Sequence, residues 1–407
     1  MLTYEDALQR AVQATPSPRV TRVRLVETLH RVLAKTVTAR CDLPRFDNAA
    51  VDGYALRTAD VLAPVDGAPA RVAFHVIGTS AAGRPYAGTV RHNEAVRIFT
   101  GAQVPNGADA VVMQEHVIRR KGRVCLQRDP KPGQHIRRTG EDIRRGSRVL
   151  KGGTRLRPQE IGLLAAVGHD TIPVYQQPTV AILVTGDELK SPGTQLGVGH
   201  IYESNSYVLE ALVQAAGARA TRLGVVNDTL HALTAKLRRG LAYDVLIISG
   251  GVSVGEKDFV RQAARRCGVR TVFWRVNIKP GMPLFFGHRG RTLVFGLPGN
   301  PVSVFVTFEE FVKPALWKLM GRKWHDGYTT PAMLWQDLQV SPTRRTHFIR
   351  VRCTSDTGVC LVEPLNGQGS HQLRSLAQAD GWIRVRSDKG PWLAGTVVAT
   401  KREDAPW

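Results

Sequence analysis

Between Val180 and Met320 the sequence alternates short β-branched runs with amphipathic stretches, and this alternation narrows the possible folds more than any other feature. Val180 to Val184 reads as a strand and is followed by TGDEL. Asn205 to Ala216 has helical spacing and is closed by Gly217; Ala220 to Val226 is a strand ending at Asn227-Asp228. Thr229 to Arg239 is a helix, Asp244 to Ser249 a strand, and Glu256 to Arg266 a helix. Thr271 to Val276 and Thr292 to Phe295 are strands, and Pro301 to Met320 is a long amphipathic helix. Strands alternating with helices predict a parallel α/β sheet with right-handed crossovers. Ligands bind such sheets beyond the carboxyl ends of the strands.

The sharpest loop at that edge is DVLIISGGVSVGEKD, Asp244 to Asp258. Val245 to Ile248 has the apolar character of a strand buried on both faces. Gly250, Gly251 and Gly255 then let the backbone turn sharply and approach a ligand closely. A strand leading through such a loop into a helix N-terminus favours a phosphate. Glu256 and Asp258 would repel a bare phosphate, so the pattern points to a divalent cation, typically Mg²⁺, shared with phosphate oxygens. A plain tight turn is the competing account of Gly250-Gly251 taken alone. A Walker loop is excluded: Gly250 and Gly255 have its spacing, but Glu256 stands where Lys is required. There is no G-x-G-x-x-G, so a Rossmann dehydrogenase is unsupported.

The polar loops TGDEL, ND, SGGVSVGEKD and GLPGNPVS all fall at strand carboxyl ends, so one edge collects Asp187, Glu188, Asp228, Glu256 and Asp258. Two carboxylates about 5 Å apart at an effective dielectric near 20 repel by roughly 3 kcal/mol. Concentrating that repulsion implies a cation or a catalytic task. Asp187 and Asp228 are also placed to cap helices and point apart.

The flanking segments read differently. Thr3 to Ala14 and Val20 to Ala34 have helical spacing. Leu43 to Asp60, LPRFDNAAVDGYALRTAD, is polar and turn-forming, with Asp52-Gly53 reading alone as a hairpin turn. Arg71 to Arg128 is a β pattern, and within it Thr100 follows the strand Ala95 to Phe99. Pro158 starts and Gly168 stops a further helix. After Gly321 the runs TRRTHFIRVRC, GVCLVEPL, GWIRVRS and GTVVATK give a C-terminal β module or small barrel, interrupted by the polar loop Leu365 to Asp380. The fold class is therefore α/β plus β in a multidomain chain. The expected domains are 1–44 with 140–176 (helical, linking), 45–139 (an inserted β module), 177–325 (α/β) and 326–407 (β-barrel).

The formal net charge of +22 favours a polyanionic partner. Yet the arginines are scattered, with no run of five and no aromatic alternation, so nucleic acid rests on net charge alone. Five cysteines without a C-x-x-C pair make neither a disulfide framework nor a zinc site. The N-terminus lacks a signal pattern and no stretch is long enough to span a bilayer, so the expected location is cytoplasmic, with no membrane partner.

Taken in order, FDNAAVDGYAL, RIFTGAQVPNGADAVVMQE, VAILVTGDEL, IYESNSYVL, IISGGVSVGEKDF, NIKPG, VFGLPGNPVSVFVTFEEFV and GQGSH followed by Ser375 resemble the molybdopterin molybdenumtransferase (MoeA) family, which includes the gephyrin E-domain. The resemblance runs through essentially the whole chain. A sister enzyme that adenylylates molybdopterin and the CinA-like proteins share only the α/β domain. The resemblance implies an elongated homodimer of four-subdomain chains, with the cleft between the β module of one chain and the α/β and C-terminal domains of the other. It implies that adenylylated molybdopterin and molybdate give molybdenum cofactor and AMP, assisted by Mg²⁺, alongside other proteins of molybdenum-cofactor biosynthesis. Carried over by position, the catalytic residues would be Asp52, Thr100, Glu188, Asp228 and Asp258, with Glu188, Asp228 and Asp258 as the metal set. Pterin and phosphate contacts would be Gly250, Gly251, Ser253, Gly255, Pro298, Gly299, Asn300 and Pro301. Oxyanion contacts would be Lys279, Ser303, Arg350, Ser370 and Ser375.

The chain departs from the family at Met282, where Lys-Pro-Gly-Met-Pro replaces the frequent Lys-Pro-Gly-Lys-Pro. That leaves molybdate against tungstate open, with Lys279 or Arg350 as the substitute charge. The alternative reading keeps the dimeric fold as a non-catalytic scaffold. A pure scaffold has no reason to hold Asp52, Glu188, Asp228 and Asp258 together.

Overall fold

A computed structural model of the chain describes residues 1–61, 73–253, 255, 258–340, 343–356 and 358–402. It separates into two units, Arg22–Leu29 with Lys35–Pro173, and Met1–Thr21 with His30–Ala34 and Val174–Trp407. Among the described residues no helix is long and apolar enough to cross a membrane.

The first unit is built on a six-stranded sheet in the order Ala110–Met113, Gly53–Leu56, Glu94–Ile98, Ala73–Ser80, Arg123–Leu126, Val117–Arg120. Gly53 opens a buried strand here and is not the corner of a hairpin. A Cβ at Gly53 would overlap the Val112 carbonyl of the neighbouring strand, so close backbone approach demands the glycine. Leu56, Phe74, Ala95, Val112 and Val124 fill one face.

In the second unit a sheet runs Arg219–Val226, Thr179–Thr185, Val245–Ser249, Thr292–Leu297, Phe285–Arg289, Arg270–Trp274. The first four strands are mutually parallel, as the alternation predicts, while Phe285–Arg289 is antiparallel to both neighbours. That strand is absent from the sequence reading; its signal is the two-residue turn Gly290-Arg291 joining Arg289 to its register partner Thr292. Val245 to Ile248 is completely buried, because helices cover both faces of the strand. The C-terminal strands close into a five-stranded barrel, Thr346–Asp356 to Val359–Pro364 to Thr330–Leu334 to Val397–Arg402 to Gly381–Arg386 and back. Ile278–Lys279 adds a short parallel strand alongside Thr346 and His347.

Three elements differ from expectation. Val20 to Ala34 is not a helix: Val20–Arg24 is a strand and Leu25–Glu27 a single 3₁₀ turn. Alternate β-branched residues win there, leaving Val26 and Leu29 exposed while Val32 and Leu33 are buried. The helix expected from Glu256 begins at Val260 and spans only seven residues. Pro301 to Met320 is helical, but Phe308–Val312 is a π-turn between Pro301–Thr307 and Lys313–Leu319. The π-turn brings adjacent Glu309 and Glu310 inward. Glu310 accepts from Tyr4 Oη at 2.6 Å and Tyr328 Oη at 3.2 Å, and meets Lys401 at 3.2 Å. Glu309 pairs with Lys313 at 2.8 Å and Lys401 at 2.9 Å. This buried network joins the N-terminal helix Tyr4–Ala14, the long helix and the barrel.

Candidate active site

The strands Thr179–Thr185, Val245–Ser249 and Thr292–Leu297 end beside one another, and a cleft of about 410 Å³ is lined by the loops after the first and third and by Ser249 at the end of the second. Its walls include Glu188, Glu203, Asn205, Ser249, Asn300 and His371. Asn205, the first residue of the helix Asn205–Ala215, donates to Ser249 Oγ at 3.0 Å and to the Gly299 carbonyl at 2.7 Å. Ser249 donates to the Pro298 carbonyl at 3.2 Å. These contacts fix the Pro298-Gly299-Asn300 loop against the glycine loop; the sequence reading quoted IYESNSYVL without giving Asn205 a role. Glu203 accepts from the Ser206 amide at 2.7 Å and hydroxyl at 2.6 Å, fastening the start of the same helix.

Gly250 and Gly251 both adopt positive φ, +95° and +62°. A Cβ on Gly250 would stand 2.5 Å from the Thr185 carbonyl, so the loop cannot cross the adjacent strand end with any side chain there. The Val260 amide donates to the Gly251 carbonyl at 3.2 Å and closes the loop at its base. Asp258 turns inward: its carboxylate accepts from the Gly255 amide at 2.5 Å. Because the helix starts only after Asp258 and is short, the anion-binding argument from a helix N-terminus does not apply; within the loop the Gly250 amide donates to the Leu297 carbonyl at 3.1 Å and the Gly255 amide to Asp258. Ser253 and Gly255 are exposed. Glu256 lies outside the described residues.

The acids do not form a closed cage. Asp228 accepts a short hydrogen bond from the Thr185 hydroxyl, and its amide donates to Asp187 at 3.1 Å. Glu188 is exposed and folds back over Gly186. Among the described residues no three His, Cys, Asp or Glu side chains converge as around a metal ion. The donor set still fits Mg²⁺, which prefers oxygen ligands and is commonly held by one or two carboxylates, with phosphates and water completing the shell.

The polar loop between barrel strands reaches the same region. Asn300 Nδ2 donates to Ser370 Oγ at 2.8 Å, and the Val302 amide to the Ser370 carbonyl at 3.0 Å. Arg350, 1% exposed, donates to the carbonyls of Gly367 at 2.9 Å and Gly369 at 3.2 Å, and Ser375 Oγ donates to Gly367 at 2.7 Å. Burial pulls the Arg350 pKa down to about 10, still charged at neutral pH, and its Nη1 has no hydrogen-bond partner among the described residues. Lys279 lies opposite His347 in register, three residues from Arg350, so strand alternation aims the two cations at opposite faces. Lys279 and Arg345 add to burial in lowering the His347 pKa to about 4. Ser303 is buried.

Asp52 and Thr100 belong to the other unit. Thr100 donates from both its amide and its hydroxyl to Asp52 Oδ1, each at 2.7 Å. These bonds hold the Asp52 carboxyl below the ordinary carboxylate range, with attraction from Arg97 as a smaller contribution. Arg97, unmarked in the sequence reading, lies 5.0 Å from the Tyr54 ring and 5.1 Å from that of Phe99.

Comparison with known proteins covers nearly the whole chain. Residues 2–168 match the MoeA N-terminal region (domain I and II), residues 181–318 a probable molybdopterin binding domain, and residues 339–401 the MoeA C-terminal region (domain IV). Molybdopterin molybdenumtransferase of Haemophilus influenzae is 35% identical over 402 residues, 98% of each chain. Its Bacillus subtilis namesake is 35% identical, covering 98% of this chain and 93% of that protein. Molybdopterin molybdenumtransferase 2 of Mycobacterium tuberculosis is 38% identical over 92% of this chain and 93% of its own. A crystal structure of a molybdopterin biosynthesis MoeA protein from Pyrococcus horikoshii superposes with a TM-score of 0.77 at 31% identity, covering 99% of this chain and 100% of that one. On this agreement of sequence, motif order and fold, the chain belongs to the molybdopterin molybdenumtransferase (MoeA) family.

Proposed function

We propose that this chain is a transferase of molybdenum-cofactor biosynthesis that inserts molybdate into adenylylated molybdopterin and releases AMP. The observation that carries the reading is the cleft at the carboxyl ends of the parallel strands, lined by Glu188, by Ser249 at the base of the glycine loop and by Gly299 to Pro301. In the reaction the phosphoanhydride P–O bond breaks with uptake of one water. The two dithiolene thiol protons leave with one molybdate oxygen as water. Gly250, Gly251, Ser253 and Gly255 line the phosphate path; the Gly250 amide is given to the Leu297 carbonyl and the Gly255 amide to Asp258, so the Gly251 and Ser253 amides are the ones that would meet anionic oxygens. Pro298, Gly299, Asn300 and Pro301 bear on the pterin side of the cleft, and Asn205 keeps that loop in place. Arg350, Ser370 and Ser375 order the 367–372 loop, and Arg350 retains an unused donor for an oxyanion. Lys279 and the buried Ser303 are the other oxyanion contacts of this reading, Lys279 from the opposite face of the strand pair to Arg350.

Mg²⁺ held by Glu188, Asp228 or Asp258 together with substrate oxygens would neutralise charge on the leaving phosphate. Asp52, kept ionised by Thr100, is suited to orient water or to meet a cation as a carboxylate. The same reading carries a homodimer with a shared cleft, action in the cytoplasm, exchange with other cofactor-biosynthesis proteins, and the four-domain division given above.

The test is AMP release from adenylylated molybdopterin by the purified full chain, with and without molybdate and Mg²⁺, for wild type and Asp258→Ala. Release that needs molybdate and collapses in the variant supports the reading. A folded, pterin-binding dimer that releases no AMP with any oxyanion makes the protein a scaffold.

A further inference from the structure

We propose that Trp274 is a positioning residue that pins the glycine loop in the shape that receives the substrate phosphates. The inference rests on the function proposed above and names how its loop is held. Trp274 ends the edge strand Arg270–Trp274, and its indole N–H donates to the Val252 carbonyl at 3.0 Å. That carbonyl stands just after Gly251, where the loop leaves the strand. The Arg261 guanidinium, just past the loop, lies 3.7 Å from the indole centroid. One side chain therefore grips the loop at its entry and its exit. Arg275 also lies over the ring, at 4.4 Å, from a backbone held at φ +66°. A non-glycine residue adopts that conformation only where its surroundings enforce it.

The segment so gripped carries Ser253, Gly255 and Asp258. Among the described residues its own cross-links include the Val260 amide to the Gly251 carbonyl, the Asp258 amide to the Gly255 carbonyl at 3.1 Å and the Gly255 amide to the Asp258 carboxylate. Val252 is the loop's apolar anchor: it is 2% exposed, and Gly296 leaves the room for it, since a Cβ there would stand 2.7 Å from a Val252 methyl. A loop that offers backbone groups to a ligand has to hold its shape before the ligand arrives. Each backbone residue left unfixed would have to be ordered by the substrate, at the expense of its affinity. With the indole bond and the stacked guanidinium in place, that ordering is made during folding and not during binding.

Trp274→Phe keeps a ring between the guanidiniums and removes the N–H donor. Trp274→Leu removes both. Hydrogen–deuterium exchange of peptides spanning 251–260 in the full chain reads the loop directly, and steady-state AMP release reads its use. Trp274→Phe should speed exchange in those peptides about tenfold, in line with one lost hydrogen bond. It should raise KM for adenylylated molybdopterin by a similar factor, with kcat within about twofold and the thermal midpoint unmoved. Trp274→Leu should extend both effects. Unchanged exchange in Trp274→Phe overturns the proposal, as does faster exchange with KM unaltered. If the wild type releases no AMP, the proposed function falls, while the exchange comparison still decides whether Trp274 pins the loop.

Discussion

Gly250→Ala should be among the most damaging single-methyl additions in the chain, for two separable reasons. The first is backbone conformation: φ at Gly250 is +95°, and an L side chain in the left-handed region costs about 1–2 kcal/mol. The second is contact: the new Cβ would lie 2.5 Å from the Thr185 carbonyl and 3.2 Å from its Cγ2. The carbonyl is main chain within a buried parallel strand, so relief requires moving backbone, at about 1–3 kcal/mol. Together the substitution should cost about 2–5 kcal/mol. Gly224→Ala isolates the first contribution, because Gly224 also has positive φ, +87°, on a strand of the same sheet, with no atom within 4 Å of its ideal Cβ. Urea unfolding followed by tryptophan fluorescence should place the Gly250→Ala midpoint about 1 M below wild type, and Gly224→Ala much closer to it. Displacing Thr185 also removes the hydroxyl that binds Asp228, so AMP release should fall in Gly250→Ala and persist in Gly224→Ala. Equal destabilisation by the two substitutions would refute the argument from contact.

Four other outcomes can be checked. Glu310→Ala should cost about 3–5 kcal/mol, since Lys401 loses one of its two carboxylates and the Tyr4 and Tyr328 hydroxyls lose their acceptor; Glu310→Gln, which keeps an acceptor, should cost visibly less in the same urea titration. His347 has a folded pKa pushed down to about 4 from 6.5, chiefly by burial, so the unfolded chain takes up the proton first: stability is complete above pH 6.5, is lost as pH falls towards 4, and this part of the acid dependence should vanish in His347→Gln. Thr100→Ala removes one of two donors to Asp52, so the Asp52 carboxyl should titrate nearer the ordinary carboxylate range by NMR; an unmoved titration would mean the amide alone suffices. Lys279→Ala should raise the molybdate concentration needed for AMP release and Met282→Lys should lower it, and indifference to both would remove this turn from the oxyanion site.

The α/β sheet was legible because its central strands are apolar on both faces and each is followed by a polar, glycine-bearing loop. Val245 to Ile248 could hardly be anything but a buried strand. Legibility failed where local pattern and tertiary partner disagree. Val20 to Ala34 carries a helical period, yet it contributes a strand and a bridge between Leu33 and Val174, a partner roughly 140 positions away that no local window contains. Phe285–Arg289 hid as an apolar stretch too short to classify, and its pairing with Thr292–Leu297 on one side and Arg270–Trp274 on the other makes it a strand. The π-turn at Phe308–Val312 was likewise silent. Its cue was two adjacent glutamates in an apolar helix, which need buried cations that come from Lys313 nearby and from Lys401 at the far end of the chain.

The site shows the same division between what a motif states and what a fold supplies. Motifs marked the glycines and acids at the strand ends, because glycines without Cβ atoms and acids in such positions are unusual enough to stand out. They did not mark the residues that hold those loops still. Asn205 bridges Ser249 and Gly299 from a helix start that reads as ordinary, and Arg350 spends two of its donors on the Gly367 and Gly369 carbonyls. Ser375, carried over as an oxyanion contact, gives its hydroxyl to the Gly367 carbonyl. Its distinct contribution is therefore to loop order. Ser375→Ala should loosen the 367–372 loop and weaken oxyanion use through Arg350 and Ser370 without deleting a ligand. A direct ligand would instead lose its contribution at every oxyanion concentration while the loop stayed ordered. Hydrogen exchange across residues 365–375 separates the two: faster exchange in Ser375→Ala assigns the serine to the scaffold of the site, and unchanged exchange returns it to the ligand shell.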